Sequence, residues 1–394
     1  MKTKAKPVSD ETRVELSARA GFAVRFSRDC LSASNPDLAD LLRGREPFRR
    51  QRVLFVIDAG LAALQPRVAD HAAAYVAAHK ANLVSAGAPI LIEGGEGVKS
   101  RPEICDWLRA RFFGAGLDGQ AHLVVVGGGA VLDTVGYAAA TMRRAPRVTR
   151  IPTTLLAQAS GALSPRCSVN ALGRKDALSA FCPPFAVLLD AKWLASLTER
   201  EKRAGLAEIT RTALAADADF FHWIADHARA LGAFERRTLE TAARWSARLH
   251  WESLAESDPF DAGKAMPLDF GRWAALRLEA EAGGDLLHGE AAAVGASVDL
   301  LLSVLLTGLP PESARAALEV LAGFGLPLWH DALGEADDDG APALLSALAE
   351  YSAAGSPSVP LLRAAGRPEP CIAVNAEATA AAIEALRRWG DRDA

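Results

Sequence analysis

Short apolar runs alternate with helical patterns through the first half of the chain, and this alternation constrains the fold more than any other feature. The runs RVLFVID (Arg52 to Asp58), APILIEGGE, AHLVVVGGG, RVTRIPTT and FAVLLD are interleaved with the helical stretches QPRVADHAAAYVAAH and SRPEICDWLRARFF. Strands that alternate with helices are joined by crossovers, which build a parallel sheet covered on both faces. Past AKWLASLTERE the pattern is almost entirely helical, with amphipathic segments such as KRAGLAEITRTALAADADFFHWIADHARAL and NAEATAAAIEALRRWG. The chain therefore reads as α/β plus all-α, a Rossmann-like parallel-sheet domain over residues 1–190 followed by a helical domain over 191–394. The acidic stretch GEADDDGAPA reads as a surface loop between helices.

Composition narrows the functions. The 394 residues are 50% hydrophobic and 23% charged with a net charge of -4, so no basic stripe is expected to neutralise nucleic-acid phosphates. The stretch MKTKAKPVSDETRVELSARAG is polar and charged, and no later run reads as long and uncharged enough to cross a bilayer. A cytoplasmic protein without membrane insertion is the expectation. Cys30, Cys105, Cys167, Cys182 and Cys371 are scattered with no CxxC pair, which points to reduced, packed thiols rather than disulfides or a thiolate zinc site.

The stretch LVVVGGGAVLDTVGYAAAT sets Gly127, Gly128 and Gly129 between a buried strand and an Ala-rich helix that carries Asp133. Backbone N–H groups bared at a helix N-terminus can hold the pyrophosphate of NAD. Leu132 stands where the third glycine of GxGxxG would fall, so the turn alone fits a tight strand-to-helix connection equally well. Glu96 and Lys99 in EGGEGVKS, and Thr153 and Thr154 in RIPTTLLAQ, put polar groups at other strand ends. Several such ends on one edge of a parallel sheet form the usual dinucleotide crevice.

The ordered motifs VVVGGGAVLDTVGYAAAT, RIPTTLLAQ, GRKDALSAF, PPFAVLLD, REKRAGLAEI, LDFG and LLHGEAAAVG resemble the sugar phosphate cyclases, typified by 3-dehydroquinate synthase. Within that group DPFDAGKAMPLDFGRWAALRLE is similar to the EboD-type cyclases. The resemblance implies an NAD-binding α/β domain, a helical domain, and an active site between them. It also implies transient oxidation of a secondary alcohol by NAD, elimination of phosphate, re-reduction and aldol closure of a carbocycle, with a divalent metal polarising the oxidised hydroxyl. A homodimer is implied too, in which an arginine aligned with Arg144 reaches the neighbouring site, and EboD-type relatives suggest a partner in a biosynthetic pathway.

The implied metal ligands are a glutamate and two histidines. Glu208 and His288 match two of them, and the third position is Arg272. A guanidinium has no lone pair for a metal and repels it, so ordinary zinc or cobalt binding is not expected. Glu208 is the expected partner of Arg272, with His250 a substitute ligand if it moves in. Leu276 replaces a histidine that moves a proton in the family, and Ser160 replaces an aspartate at the NAD and metal end. Arg166, Asp176 and Arg211 stand at positions implied to contact substrate or phosphate, beside Lys175. Arg272, Arg166, Arg211 and Arg144 are expected to form an anion pocket with Glu208 and Lys175.

Three functions follow: a divergent cyclase acting on a ketose or heptulosonate phosphate, a silent relative that binds NAD or a phosphorylated ligand or supports a partner, and an oxidoreductase of the iron-dependent alcohol dehydrogenase type. LDFG, HGE and PTTLLAQ favour the cyclase group over the last. If the rest of the metal shell is intact, Arg272→His is expected to raise the bound metal content measured after dialysis; unchanged content indicates deeper rebuilding.

Overall fold

The computed structural model describes residues 20–44, 46, 48–256, 267–282, 284–336, 340–345, 348 and 358–390. The stretch before residue 20, the DPFDAGKAM part of the EboD-like motif, Asp337 to Asp339 of the acidic loop and YSAAGSP lie outside the described residues.

The alternating half forms strands β1 (Ala23–Ser27), β2 (Gln51–Asp58), β3 (Leu83–Ser85), β4 (Ile90–Ile92), β5 (His122–Gly127) and β6 (Arg147–Pro152). A hairpin, β7 (Arg166–Ala171) and β8 (Arg174–Phe181), precedes the last strand of the sheet, β9 (Ala186–Asp190). The sheet order is β1-β9-β6-β5-β2-β3, with β4 also pairing to β2, and its pairings are parallel, β2 meeting β5 at Val53↔His122. Helices α1 (Asp37–Arg43), α2 (Ala59–Leu64), α3 (Val68–Ala78), α4 (Pro102–Gly114) and α5 (Gly129–Ala140) cover its faces. The period-2 geometry of a strand shows in β5: Leu123 and Val125 pack with Leu108 and Val131, whereas Val124 and Val126 pack with Leu38 and Tyr75.

The hairpin β7–β8 was not legible as strands. It turns at Leu172 and Gly173, both at positive φ (54° and 72°), as a two-residue hairpin requires. A buried arginine fixes it to the sheet. Arg150 of β6, 1% exposed, donates to the carbonyls of Ala162 (2.9 Å), Ser164 (2.6 Å) and Cys182 (3.0 Å) and to Cys167 Sγ (3.0 Å).

After α6 (Leu155–Ala159) the chain forms α7 (Glu199–Ala216), α8 (Ala218–Asp226), α9 (Ala228–Gly232), α10 (Arg236–Glu256), α11 (Arg272–Glu281), α12 (His288–Leu306), α13 (Pro311–Gly323) and α14 (Ala376–Gly390). Three expectations need correction. The segment from Lys202 to Leu231 is three helices, because the Asp217 carboxylate accepts from Phe220 N (3.0 Å) and starts a new one. The second half also contains an antiparallel pair, β10 (Ser358–Ala364) and β11 (Arg367–Ala373). And α12 is long and apolar enough, by length and composition, to cross a membrane, although most of it is buried among the other helices.

Glycines let these helices meet backbone to backbone. A Cβ on Gly289 would lie 2.0 Å from Ala204 O, one on Gly295 2.1 Å from Gly271 O, and one on Gly205 2.5 Å from the Leu155 side chain. Thus α12 rests on α7 and on the start of α11, and α7 rests on α6.

At the start of β5, His122 is fully buried edge-on to Phe185 (4.7 Å), and neither ring nitrogen has a partner among the described residues. Burial and the nearby Arg147 push its pKa down from 6.5 to about 4. The unfolded chain then takes up this proton first, so the stability held above pH 6.5 is lost as pH falls towards 4. Replacing it should flatten that slope: His122→Leu is expected to remove up to about 3 kcal/mol of the acid-side loss, read from urea unfolding across this pH range.

Candidate active site between the sheet edge and the helices

Chain connections run to opposite sides of the sheet from β2 and β5, which makes the carboxyl ends of these strands a switch point where a crevice opens. Gly127 ends β5, and Gly128 and Gly129 lead into α5. A Cβ on Gly128 would sit 3.1 Å from Thr154 Cγ2, whereas one on Gly129 would meet nothing within 4 Å. The turn is therefore tight on the protein side and open at the helix N-terminus, which fits the pyrophosphate of a dinucleotide. Thr153 N donates to Gly127 O (3.0 Å), and Thr154 Oγ1 caps α6 by accepting from Ala157 N (3.2 Å). Asp58, which sequence reasoning missed, ends β2 here. It caps α2 through Gly60 N (2.8 Å), and a Cβ on Gly94 would lie 2.3 Å from its Oδ2. Its position at a strand end was the available signal, and its carboxylate suits a ribose hydroxyl.

Beside the glycine turn lies a chain of charges. Lys99, 6% exposed, pairs with Asp133 (3.0 Å), Asp176 and Glu96 (3.7 Å). Burial opposes its charge, but Asp133, Asp176 and Glu96 outweigh burial and raise its pKa. Lys99 in turn holds the half-buried Asp176 below the usual carboxylate range, against the effect of burial. Asp176 reaches Lys99 from a backbone at positive φ (52°), with its N–H donated to Asn170 Oδ1 (2.9 Å). Lys175, its neighbour in β8, pairs with Glu96 (3.1 Å) and with Glu279 of α11. Glu279 also accepts from His288 Nδ1 (2.7 Å), the first residue of α12. This glutamate was missed as well; it lies seven positions after Arg272, inside the stretch LDFGRWAALRLE. Burial works against its charge, yet His288 and Lys175 hold its pKa low, and Glu279 in turn raises that of His288.

The pairing expected between Glu208 and Arg272 is not formed. Glu208, buried on α7, is held through both oxygens by Arg211, Nη2 to Oε1 (2.7 Å) and Nε to Oε2 (3.0 Å). Arg211 is three residues further along the same helix, so it reaches the carboxylate without crossing the crevice. It also donates to the carbonyls of Leu268 and, at 3.0 Å, Phe270. Arg211 drives the pKa of Glu208 well down in spite of burial, with help from His250, whose Nε2 lies 3.6 Å from Oε1. Arg272 instead pairs with Asp269 (3.0 Å), with its side chain 46% exposed. The turn before it is fixed from below. Gly271 has φ 76°, and Asp299 of α12 accepts from Gly271 N (2.6 Å) and Trp273 Nε1 (2.8 Å). Burial lifts Asp299 to about 7 despite these bonds.

The expected four-arginine anion pocket is likewise not assembled. Arg144 is exposed in the turn between α5 and β6, at the opposite end of the strands from the crevice. Arg166 opens β7 and donates to Ser179 Oγ (3.3 Å) across the hairpin. Ser160 ends α6, where its hydroxyl donates to Leu156 O (3.2 Å). Among the described residues no group of three or more His, Cys, Asp or Glu is gathered in one place. Both oxygens of Glu208 are engaged by a guanidinium, and Arg272, the third position the resemblance implies, carries another.

The parallel sheet, glycine turn and charged crevice beside a helical half are the architecture of the dehydroquinate synthase-like fold. Family models of the 3-dehydroquinate synthase N-terminal and C-terminal regions match residues 89–204 and 205–348. The chain belongs to the 3-dehydroquinate synthase family. It is 31% identical to the 3-dehydroquinate synthase of Cereibacter sphaeroides over 348 residues, 86% of this chain and 88% of that protein. Identity to the 3-dehydroquinate synthase of Pyrobaculum neutrophilum is 39% over 243 residues, 61% of this chain and 70% of the relative. Among solved structures, 2-epi-5-epi-valiolone synthase from Streptomyces hygroscopicus subsp. jinggangensis, with NAD+ and Zn2+ bound, superposes with a TM-score of 0.84 at 27% identity, covering 95% of this chain and 99% of that one. A 2-deoxy-scyllo-inosose synthase shares the fold, with a TM-score of 0.73, 21% identity and coverage of 93% and 96%.

The Glu208–Arg211 pair gives a direct test. Arg211→Met strands a buried carboxylate, and a loss of roughly 3–5 kcal/mol of unfolding free energy is expected in denaturant titration; a loss near zero would show that Glu208 has another partner of equal strength.

Proposed function

We propose that this chain is an NAD-dependent sugar phosphate cyclase that converts a ketose or heptulosonate phosphate into a carbocycle and inorganic phosphate, with the family's metal site altered. The observation that carries the second half is the two-point grip of Arg211 on Glu208. It puts a protein cation on the carboxylate that the family resemblance implies as a metal ligand. The first half rests on family membership and on the preserved glycine turn, Asp133, Glu96 and Lys99.

NAD, when bound at the glycine turn, supplies the hydride acceptor for a secondary alcohol and returns the hydride later. The remaining work falls to side chains. Lys99 holds Asp133 and Asp176 at the cofactor end, and Lys175 faces the crevice from the hairpin. His288 has Nδ1 engaged by Glu279, which leaves Nε2 to exchange a proton with the ligand. Arg272, half exposed beside Asp269, adds a cation at the start of α11. Loss of phosphate leaves with one proton from the neighbouring carbon, and the returned hydride and an intramolecular aldol addition close the ring without a further reactant. We place the chain beside the EboD-type cyclases on LDFGRWAALRLE, as a homodimer serving a biosynthetic pathway. Arg144, exposed and remote from its own crevice, is the residue we propose to meet a second copy.

A silent homologue is the second reading. It is favoured by the acid partners already carried by Lys175, Arg211 and Arg272. Inorganic phosphate release, followed with NAD+ and a panel of ketose and heptulosonate phosphates with or without chelator, separates the two. Release that persists under chelation is the expected result. Release that requires added zinc or cobalt overturns the altered-site reading, and no release with NAD+ still raising Tm favours the silent homologue.

A further inference from the structure

Glu279 joins three separate elements through one buried carboxylate. Its side chain is 4% exposed on α11, its Oε1 accepts from His288 Nδ1 at the start of α12 (2.7 Å), and its Oε2 meets Lys175 Nζ from the hairpin β7–β8. Lys175 extends the connection to Glu96, which follows β4 (3.1 Å). A carboxylate this deep is strongly unfavourable unless both oxygens are met, and here each is met by a group that faces the crevice. The two contacts are therefore one device: anything that turns the Glu279 carboxyl moves His288 and Lys175 together.

The bond to Nδ1 has a chemical consequence. An ionised carboxylate only accepts, so the neutral ring must carry its proton on Nδ1, and Nε2 is left with a lone pair in a fixed direction. His288 lies close enough to Glu208 for that carboxylate to raise its pKa. The Nε2 side of the His288 ring therefore lies towards the Glu208 end of the crevice, and Lys175 joins it through Glu279.

We propose that Glu279 is the positioning residue of this site: it sets the Nδ1–H tautomer of His288 and, through the same carboxyl group, fixes Lys175 against one ligand. The proposal rests on the cyclase reading for its kinetic consequence but not for the tautomer, so the two can fail separately.

Glu279→Gln is nearly isosteric and separates positioning from packing. An ammonium can only donate, so Lys175 takes the amide oxygen and the amide NH2 faces His288 Nδ1, which must then accept. The proton moves to Nε2. In histidine-labelled protein in alkaline buffer, with His288→Asn used to assign the signals, the 15N shifts of the His288 ring are expected to change from the Nδ1–H to the Nε2–H pattern in E279Q. They are expected to return in E279Q/K175M, where the amide is free to turn its oxygen back. On any phosphate ester that the unchanged protein turns over, E279Q should lower kcat by roughly 10–100-fold, the size found when a residue supporting a site's ligands is lost, with Tm within a few degrees. An Nδ1–H pattern retained in E279Q overturns the proposal, as does a kcat within about twofold of the unchanged protein. Should no ester be turned over, the cyclase reading fails and the ring-nitrogen shifts alone decide on Glu279.

Discussion

The site depends on helices that touch without side chains between them. At Gly289 and Gly295, α12 approaches α7 and the start of α11 so closely that a methyl group would overlap carbonyl oxygens at 2.0 and 2.1 Å. Those contacts set the height of α12 against its neighbours, and His288 is its first residue. The same approach brings Asp299 under Gly271, which fixes the turn that launches α11 with Arg272 at its start and Glu279 two turns on. Backbone contact is stiff because nothing at the interface can change rotamer, so the charged groups inherit their spacing from the glycines.

Onto this frame the chain places more acid than the sequence pattern suggests. Glu96, Asp133, Asp176, Glu208 and Glu279 share Lys99, Lys175 and Arg211. Each ion pair satisfies a buried charge whose isolation would be strongly destabilising, and each also makes that cation less available to an anionic ligand. The arginines therefore act first as counter-charges, and the cofactor end and the substrate end are tied through Glu96.

Legibility from sequence followed the range of the interaction. The run RVLFVID, the glycine turn and the helix starts are local patterns, and the sheet, its strands and the crevice at their carboxyl ends follow from them by period and turn chemistry. The hairpin β7–β8 was hidden because GRKDALSAF lacks a strict alternation of apolar residues, and Arg150 of β6 holds the segments at its two ends through contacts distant in sequence. Asp217 broke an amphipathic run that periodicity alone joined into one segment.

The sequence by itself determined the fold class and the family, because those are properties of order and spacing along the chain. Only the tertiary structure decided the pairings. Glu208 took Arg211 from its own helix rather than Arg272, Arg272 took Asp269, and Glu279 took both Lys175 and His288. Which carboxylate neutralises which cation depends on distances of a few ångströms between elements far apart in sequence, and electrostatic energy at low dielectric changes steeply over that range.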